Sequence, residues 1–158
     1  MEQHCIEPIY DDKSKILLLG TFPSVKSREQ NFFYGHPQNR FWKVISAIYK
    51  EPLPKTVQEK KGLLLSHGIA VWDVISSCDI VGSSDASITN VIPNDLSPIL
   101  EKADIRQIFC NGTKSYELYQ KYMFSKINRE AIKLPSTSPA NAAWSIERLI
   151  EEWSCNLQ

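Results

Sequence analysis

The stretch Lys15-Ile16-Leu17-Leu18-Leu19-Gly20 decides the fold. Four apolar residues in a row, stopped by a glycine, leave no polar face for solvent. A half-exposed strand would break the run at every second residue, and a surface helix at the period of 3.6. The unbroken run therefore predicts a strand over Lys15 to Leu19, buried on both faces of a parallel sheet. Working outward, three more short apolar segments have the same character: Ile69 to Val74, Ile105 to Cys110 and Ala131 to Leu134.

Helical signals lie between them. Phe41, Ile45 and Ile48 share one helical face behind Asn39, which predicts a helix near 40–50 that Pro52 and Pro54 end. Thr56 with Glu59 forms a capping box for a helix to about Ser66, and Gly68 closes it. Asp95 to Ala103 reads as a short helix, and a further helix runs from the Asn111-Gly112-Thr113 turn to about Phe124. Ser138 as N-cap with Pro139 behind it predicts the start of a last helix carrying Ile146, Leu149, Ile150 and Trp153 on one face. Thr21 to Gln38 shows no helical period, and residues 75–93 read as one long Ser/Gly/Asp-rich loop, a length that is often functional. Strands alternating with helices predict an α/β sandwich with a mostly parallel central sheet.

The whole chain is 158 residues, the size of one domain, with 42% hydrophobic and 23% charged residues. That balance excludes disorder, collagen and coiled coil. Eighteen basic residues against 18 acidic ones exclude a polybasic coat, so any DNA contact must rest on a local patch. No apolar run reaches the 18 residues of a membrane span, and Met1 to Asp12 is polar, so the expectation is a cytoplasmic protein without a membrane partner. Cys5, Cys78, Cys110 and Cys155 are far apart with no CxxC pair, so no metal or other cofactor is expected and the thiols are read as free.

In open α/β sheets ligands bind at the carboxyl ends of the strands. Here those ends carry Gly20-Thr21-Phe22-Pro23-Ser24, Asp73, Asn111-Gly112 and Pro135-Ser136-Thr137-Ser138-Pro139. None matches a dinucleotide fingerprint, a Walker loop or a nucleophile elbow. The densest polar and aromatic cluster is Asn31 to Trp42. Phe32 and Phe33 are expected to pack on the sheet. Tyr34, next to Gly35, suits stacking on a planar base. Asn39 is either a helix cap or a working amide, and Arg40 and Lys43 are either solvated or on phosphates. His36 reads first as structural.

Gly20 to Ile45, GTFPSVKSREQNFFYGHPQNRFWKVI, resembles the first motif of the uracil-DNA glycosylase superfamily, above all its hypoxanthine (deoxyinosine)-DNA glycosylase branch. Leu134 to Ala142, LPSTSPANA, resembles that branch's second motif. The resemblance implies a three-layer α/β/α sandwich around a four-stranded parallel sheet. It also implies hydrolysis of the N-glycosidic bond of a flipped, deaminated base in DNA, hypoxanthine before uracil. In most branches an Asp or Asn handles the water where this chain has Phe22, whose apolar ring can neither orient nor activate water. The resemblance makes Asn39 the substitute, Tyr34 the stacking ring, Asp73 the reader of the base edge, and Ser136 the counterpart of the second motif's His or Asn.

The chemistry sharpens these expectations. Cleavage builds positive charge on the sugar and negative charge on the departing base, so electrostatic preorganisation is the main requirement. The amides near Thr21 and Phe22, beside Gly20, are candidates for the base carbonyl. Asn39 either holds the water or hydrogen-bonds the base. An ionised Asp73 suits the N1–H of hypoxanthine and repels the N1 lone pair of adenine. Asn111 either contacts a base edge or makes its turn. The Ser136 to Asn141 turn is expected to face DNA, with Ser136 and Ser138 on a phosphate and Ala140 and Asn141 too small to wedge into the stack. A single chain acting as a monomer is expected. The rival readings are a uracil or mismatch glycosylase and a damaged-DNA-binding module without catalysis.

Overall fold

The computed structural model describes residues 1–158. The chain runs β1 (Glu2–Gln3), β2 (Ile16–Gly20), α1 (Val25–Gln30), α2 (Phe41–Ile48), α3 (Val57–Ser66), β3 (Ile69–Asp73), β4 (Ile75–Asp79) and β5 (Thr89–Pro93). It continues through α4 (Ser97–Lys102), β6 (Gln107–Asn111), α5 (Thr113–Tyr122), α6 (Phe124–Ile127), β7 (Ala131–Leu134) and α7 (Ile146–Leu157). Four strands form one sheet in the order β3-β2-β6-β7, and every neighbouring pair is parallel.

The apolar run behaves as a doubly buried strand must. Leu18 enters one core, while Leu17 and Leu19 enter the other, and none of the three is exposed. On the Leu18 face pack α2, α3 and α7, through Phe41, Ile45, Leu64, Leu149 and Trp153. On the opposite face lie Ile99 of α4, then Leu118 and Tyr119 of α5. Each fully buried leucine of this kind stabilises the fold by roughly 1.5–3 kcal/mol. Phe32 and Phe33 are buried, as expected. The result is the three-layer α/β/α sandwich.

The structure corrects four local readings. Residues 75–93 are not one loop: β4 and β5 pair antiparallel, and β1 pairs with the other edge of β4. The hairpin leaves little trace in the sequence because β5 is largely exposed and β4 carries register shifts on both sides of Ser77, which blur the alternation that marks a strand. The segment 21–38 contains α1, begun by Ser24, whose Oγ accepts from Ser27 N, and ended by Asn31 in the left-handed region at φ 55°. Only Ser27 of that helix is buried, so no apolar period announces it.

The last helix starts at Ile146 with Ser145 as its N-cap, not at Ser138. Asn39, finally, precedes the cap position of α2, which is Arg40, although its Oδ1 still accepts from Phe41 N at 2.9 Å. Arg40 also explains why no helix starts at Ser138. Its guanidinium takes the carbonyls of Ser138 at 2.9 Å, Asn141 at 3.0 Å, Thr137 at 3.4 Å and Trp144. A helix would consume such carbonyls internally. Arg40 is thus neither solvated nor free for a phosphate; it holds residues 137–144 as turns.

The N-terminal arm matters too. Ile9 pairs with Val71 through both backbone bonds, at 3.0 and 2.9 Å, and covers the open edge of β3. No helix is long and apolar enough to cross a membrane.

Candidate active site

The carboxyl ends of β2, β3 and β6 and the turn after β7 open into one cleft of about 520 Å³. Gly20, Thr21, Phe22, Tyr34, Asn39, Asp73, Asn111, Ser136 and Ser138 all line it. Asn141 does not: its Nδ2 donates to Ser136 O at 3.0 Å and ties the turn together from behind.

At the floor the parallel register sets Gly20 beside Asp73. A Cβ on Gly20 would lie 2.4 Å from Asp73 Oδ1 and 3.1 Å from Tyr34 Oη, so the hydrogen of glycine is what lets the three groups meet. Asp73 is only 4% exposed. Its Oδ2 accepts from His4 Nε2 at 2.8 Å. His4 Nδ1 in turn accepts from Ile6 N at 3.3 Å, which places the ring proton on Nε2. The N-terminal arm therefore delivers a neutral donor to one carboxylate oxygen and leaves the other beside Gly20.

Tyr34 adopts a left-handed backbone, φ 52°, which swings its ring onto Phe41 at 3.9 Å and 15°. One ring face is thereby occupied by Phe41. The buried hydroxyl has no hydrogen-bond partner. Burial pushes it well above the usual tyrosine range, Asp73 adds to that, and the Asn111 carboxamide offsets part of it. Tyr34 is accordingly a neutral O–H at any working pH. A buried unpaired hydroxyl costs about 1–3 kcal/mol, a cost that a bound polar ligand removes.

Asn39 is tied at one end only. Its Oδ1 accepts from Phe41 N and from Thr137 Oγ1, both at 2.9 Å. The backbone N–H fixes which end of the amide is oxygen. The Nδ2 donor makes no bond within the protein. Thr137, fully buried, is the hub: its Oγ1 also accepts from Asn111 Nδ2 at 3.1 Å, and its N donates to Asn111 Oδ1 at 3.1 Å. The Asn111 amide is engaged at both ends, so it braces the Thr137–Asn39 contact.

Phe22 stands in the wall with the Arg28 guanidinium 5.5 Å from its ring centre. The N–H groups of Thr21 and Phe22 donate to no protein acceptor. Ser136 Oγ accepts from Ser138 N, and Ser138 Oγ from Ala140 N, both at 3.1 Å. His36 lines the cleft and accepts from Gln38 N through Nδ1, so its Nε2 carries the proton. No lysine lines the cleft.

Three site residues lay outside the sequence reading. His4 sits in an arm without any motif. Thr137 is one small polar residue among several in its turn. Asp85, which lines the mouth, belongs to the segment read as loop, and nothing local distinguished it from Asp79 or Asp95. The Asp85 residue is exposed at its surface, yet the surrounding protein displaces enough water to push its carboxyl up; Lys114 offsets part of this, and Asp73 adds to it.

Comparison with known proteins fits this geometry. The sequence profile of the Uracil DNA glycosylase superfamily matches residues 7–157. A hypoxanthine DNA glycosylase of Methanosarcina acetivorans is 34% identical over 147 residues, 92% of this chain and 91% of that protein. Another from Methanosarcina barkeri is 30% identical over 119 residues, 74% of this chain and 75% of that protein. The solution NMR structure of a uracil DNA glycosylase candidate from Methanosarcina acetivorans superposes with a TM-score of 0.82 at 30% identity, covering 96% of this chain and 94% of that one. The cleft at the strand ends, the two motifs around it and these matches across nearly the whole length agree: the chain belongs to the uracil DNA glycosylase superfamily.

Proposed function

We propose that the protein is a monofunctional DNA glycosylase that extrudes a deaminated base, hypoxanthine foremost, and hydrolyses its N-glycosidic bond. The observation that carries this reading is the one-ended anchoring of Asn39 in the cleft that Asp73 also lines. Deamination of adenine turns the ring N1 from an acceptor into an N–H donor. Asp73, with Oδ2 taken by His4, offers Oδ1 as an acceptor at the floor of the cleft. It matches the N–H that deamination creates and repels the lone pair of intact adenine. The same edge occurs in uracil, which is why uracil excision stays the second reading.

Asn39 has a donor to offer and its acceptor is spent. Of the two roles its amide had, hydrogen bonding to the base is the one this geometry favours. A fixed N–H aimed at an acceptor of the base stabilises the negative charge as the bond breaks, and the unpaired Thr21 and Phe22 amides act in the same sense. Extrusion costs a few kcal/mol, less for a mispaired base, which aids selection.

The test is a set of duplexes carrying a single hypoxanthine, uracil, xanthine or adenine, with released base measured by chromatography. Hypoxanthine is expected to be freed fastest and adenine not at all. Binding to the hypoxanthine duplex without release would leave the damaged-DNA-binding reading in its place.

Gly20→Ala provides a second check. Its methyl group displaces Asp73 Oδ1 or Tyr34 Oη. A misplacement of about 1 Å costs about 100-fold in rate. We expect that loss in single-turnover hypoxanthine release, with stability lowered by about 1–3 kcal/mol because the buried methyl crowds Asp73.

A further inference from the structure

The reaction needs a group that accepts a hydrogen bond from the attacking water. The position that supplies it elsewhere in the superfamily is Phe22 here. Asn39 Oδ1 is taken twice, by Phe41 and Thr137. Asp73 is buried, held by His4 and turned toward the base. Tyr34 is a neutral O–H, and His36 offers Nε2–H because its Nδ1 already accepts from Gln38. Among the ionisable groups of the cleft only Asp85 is left. It is brought there by the β4–β5 connection, whose position is fixed from α1: Val25 N donates to Ser83 Oγ at 2.9 Å and the Arg28 guanidinium to Gly82 O at 2.7 Å. The Asp85 carboxylate has no hydrogen-bond partner of its own, lines the same cleft as Asn39 and Asp73, and is open to solvent.

We infer that Asp85 holds the water and serves as its general base, replacing the polar side chain that Phe22 has displaced. The water oxygen bonds to C1′ as the C1′–N9 bond breaks. The electron pair of that bond leaves with the purine, which the Asn39 N–H stabilises. The water proton passes to the Asp85 carboxylate and later to solvent. The negative charge of Asp85 also offsets the positive charge that builds on the sugar. The inference rests on the glycosylase reading. The charged groups around Asp85 are Lys114 of α5 and Asp73 at the end of β3; the first favours the carboxylate and the second opposes it.

The experiment compares wild type with Asp85→Asn and Asp85→Ala in single-turnover release of hypoxanthine from duplex DNA across pH. Affinity for an abasic-site duplex is measured in parallel. We expect both variants to lose about 100-fold in rate, the scale of general-base catalysis, with affinity retained. Wild-type rate should fall on acidification as the Asp85 carboxylate takes up a proton. Asp85→Asn should lack that acid limb. A rate within threefold of wild type, or a reduced rate that keeps the same acid limb, overturns the role. If wild type itself frees no base, the glycosylase reading fails instead, and the two failures are thereby separated.

Discussion

Replacing Asn39 by aspartate is expected to slow hypoxanthine release by about 100-fold or more, the usual cost of removing one preorganised donor from a site of developing negative charge. The substitution is chosen because it separates the two ends of the side chain. Aspartate keeps an oxygen for Phe41 N and Thr137 Oγ1, so the start of α2 and the link to the 137–144 turn survive. What disappears is the Nδ2 donor, and an oxygen with lone pairs takes its place beside the leaving base. If the amide worked instead by accepting from water, a carboxylate would do that better, and the same variant would be faster than wild type. Asn39→Ala cannot make this distinction, because it releases Phe41 N and Thr137 as well. Thermal unfolding should place Asn39→Asp close to wild type and Asn39→Ala below it.

The second large effect concerns a residue that touches no substrate. Arg40→Ala is expected to lower stability by about 3 kcal/mol, since it leaves several half-buried carbonyls without a donor. For a chain of this size that corresponds to roughly 10 °C in Tm. Activity should fall by about 100-fold even at temperatures where the variant is fully folded, because Thr137 belongs to the turn that Arg40 holds and a shift of about 1 Å there is carried to Asn39. Arg40→Lys should not restore either property. One ammonium group cannot reach the carbonyls of Thr137, Ser138, Asn141 and Trp144 together, whereas a planar guanidinium with five N–H donors does. The readouts are a melting curve and single-turnover rates measured at low temperature.

Much of the framework was legible because burial writes itself into local sequence. A strand covered on both faces must be apolar throughout, and Ile16 to Leu19 shows this without ambiguity. The strand ends followed from that, and with them the places of Gly20, Asp73 and Asn111 in the cleft. The hairpin β4–β5 was not legible. It is a small antiparallel unit with an exposed outer strand, where composition resembles a loop. The last helix departs from its local start signal for a different reason: Ser138-Pro139 is a sound signal, and a side chain nearly a hundred residues earlier in sequence overrides it. Tertiary hydrogen bonds of that kind have no local signature.

The same limit applies within the site. Asn39 could be singled out from its motif, but which end of its amide remains available depends on Thr137, and Thr137 depends on Asn111. His4 is visible only once the arm crosses to β3. In each case the sequence discloses the group that lines the cleft and conceals the group that holds it in place.

Contact between the Asn39 N–H and an extruded purine can be read by NMR of the side-chain amide, with the protein bound to a duplex carrying 2′-fluoro-deoxyinosine, whose glycosidic bond resists cleavage. The Asn39 Nδ2 protons should shift downfield on binding, and shift much less with a duplex carrying 2′-fluoro-deoxyadenosine. Saturated binding of the deoxyinosine duplex with the Asn39 resonances unmoved would contradict it.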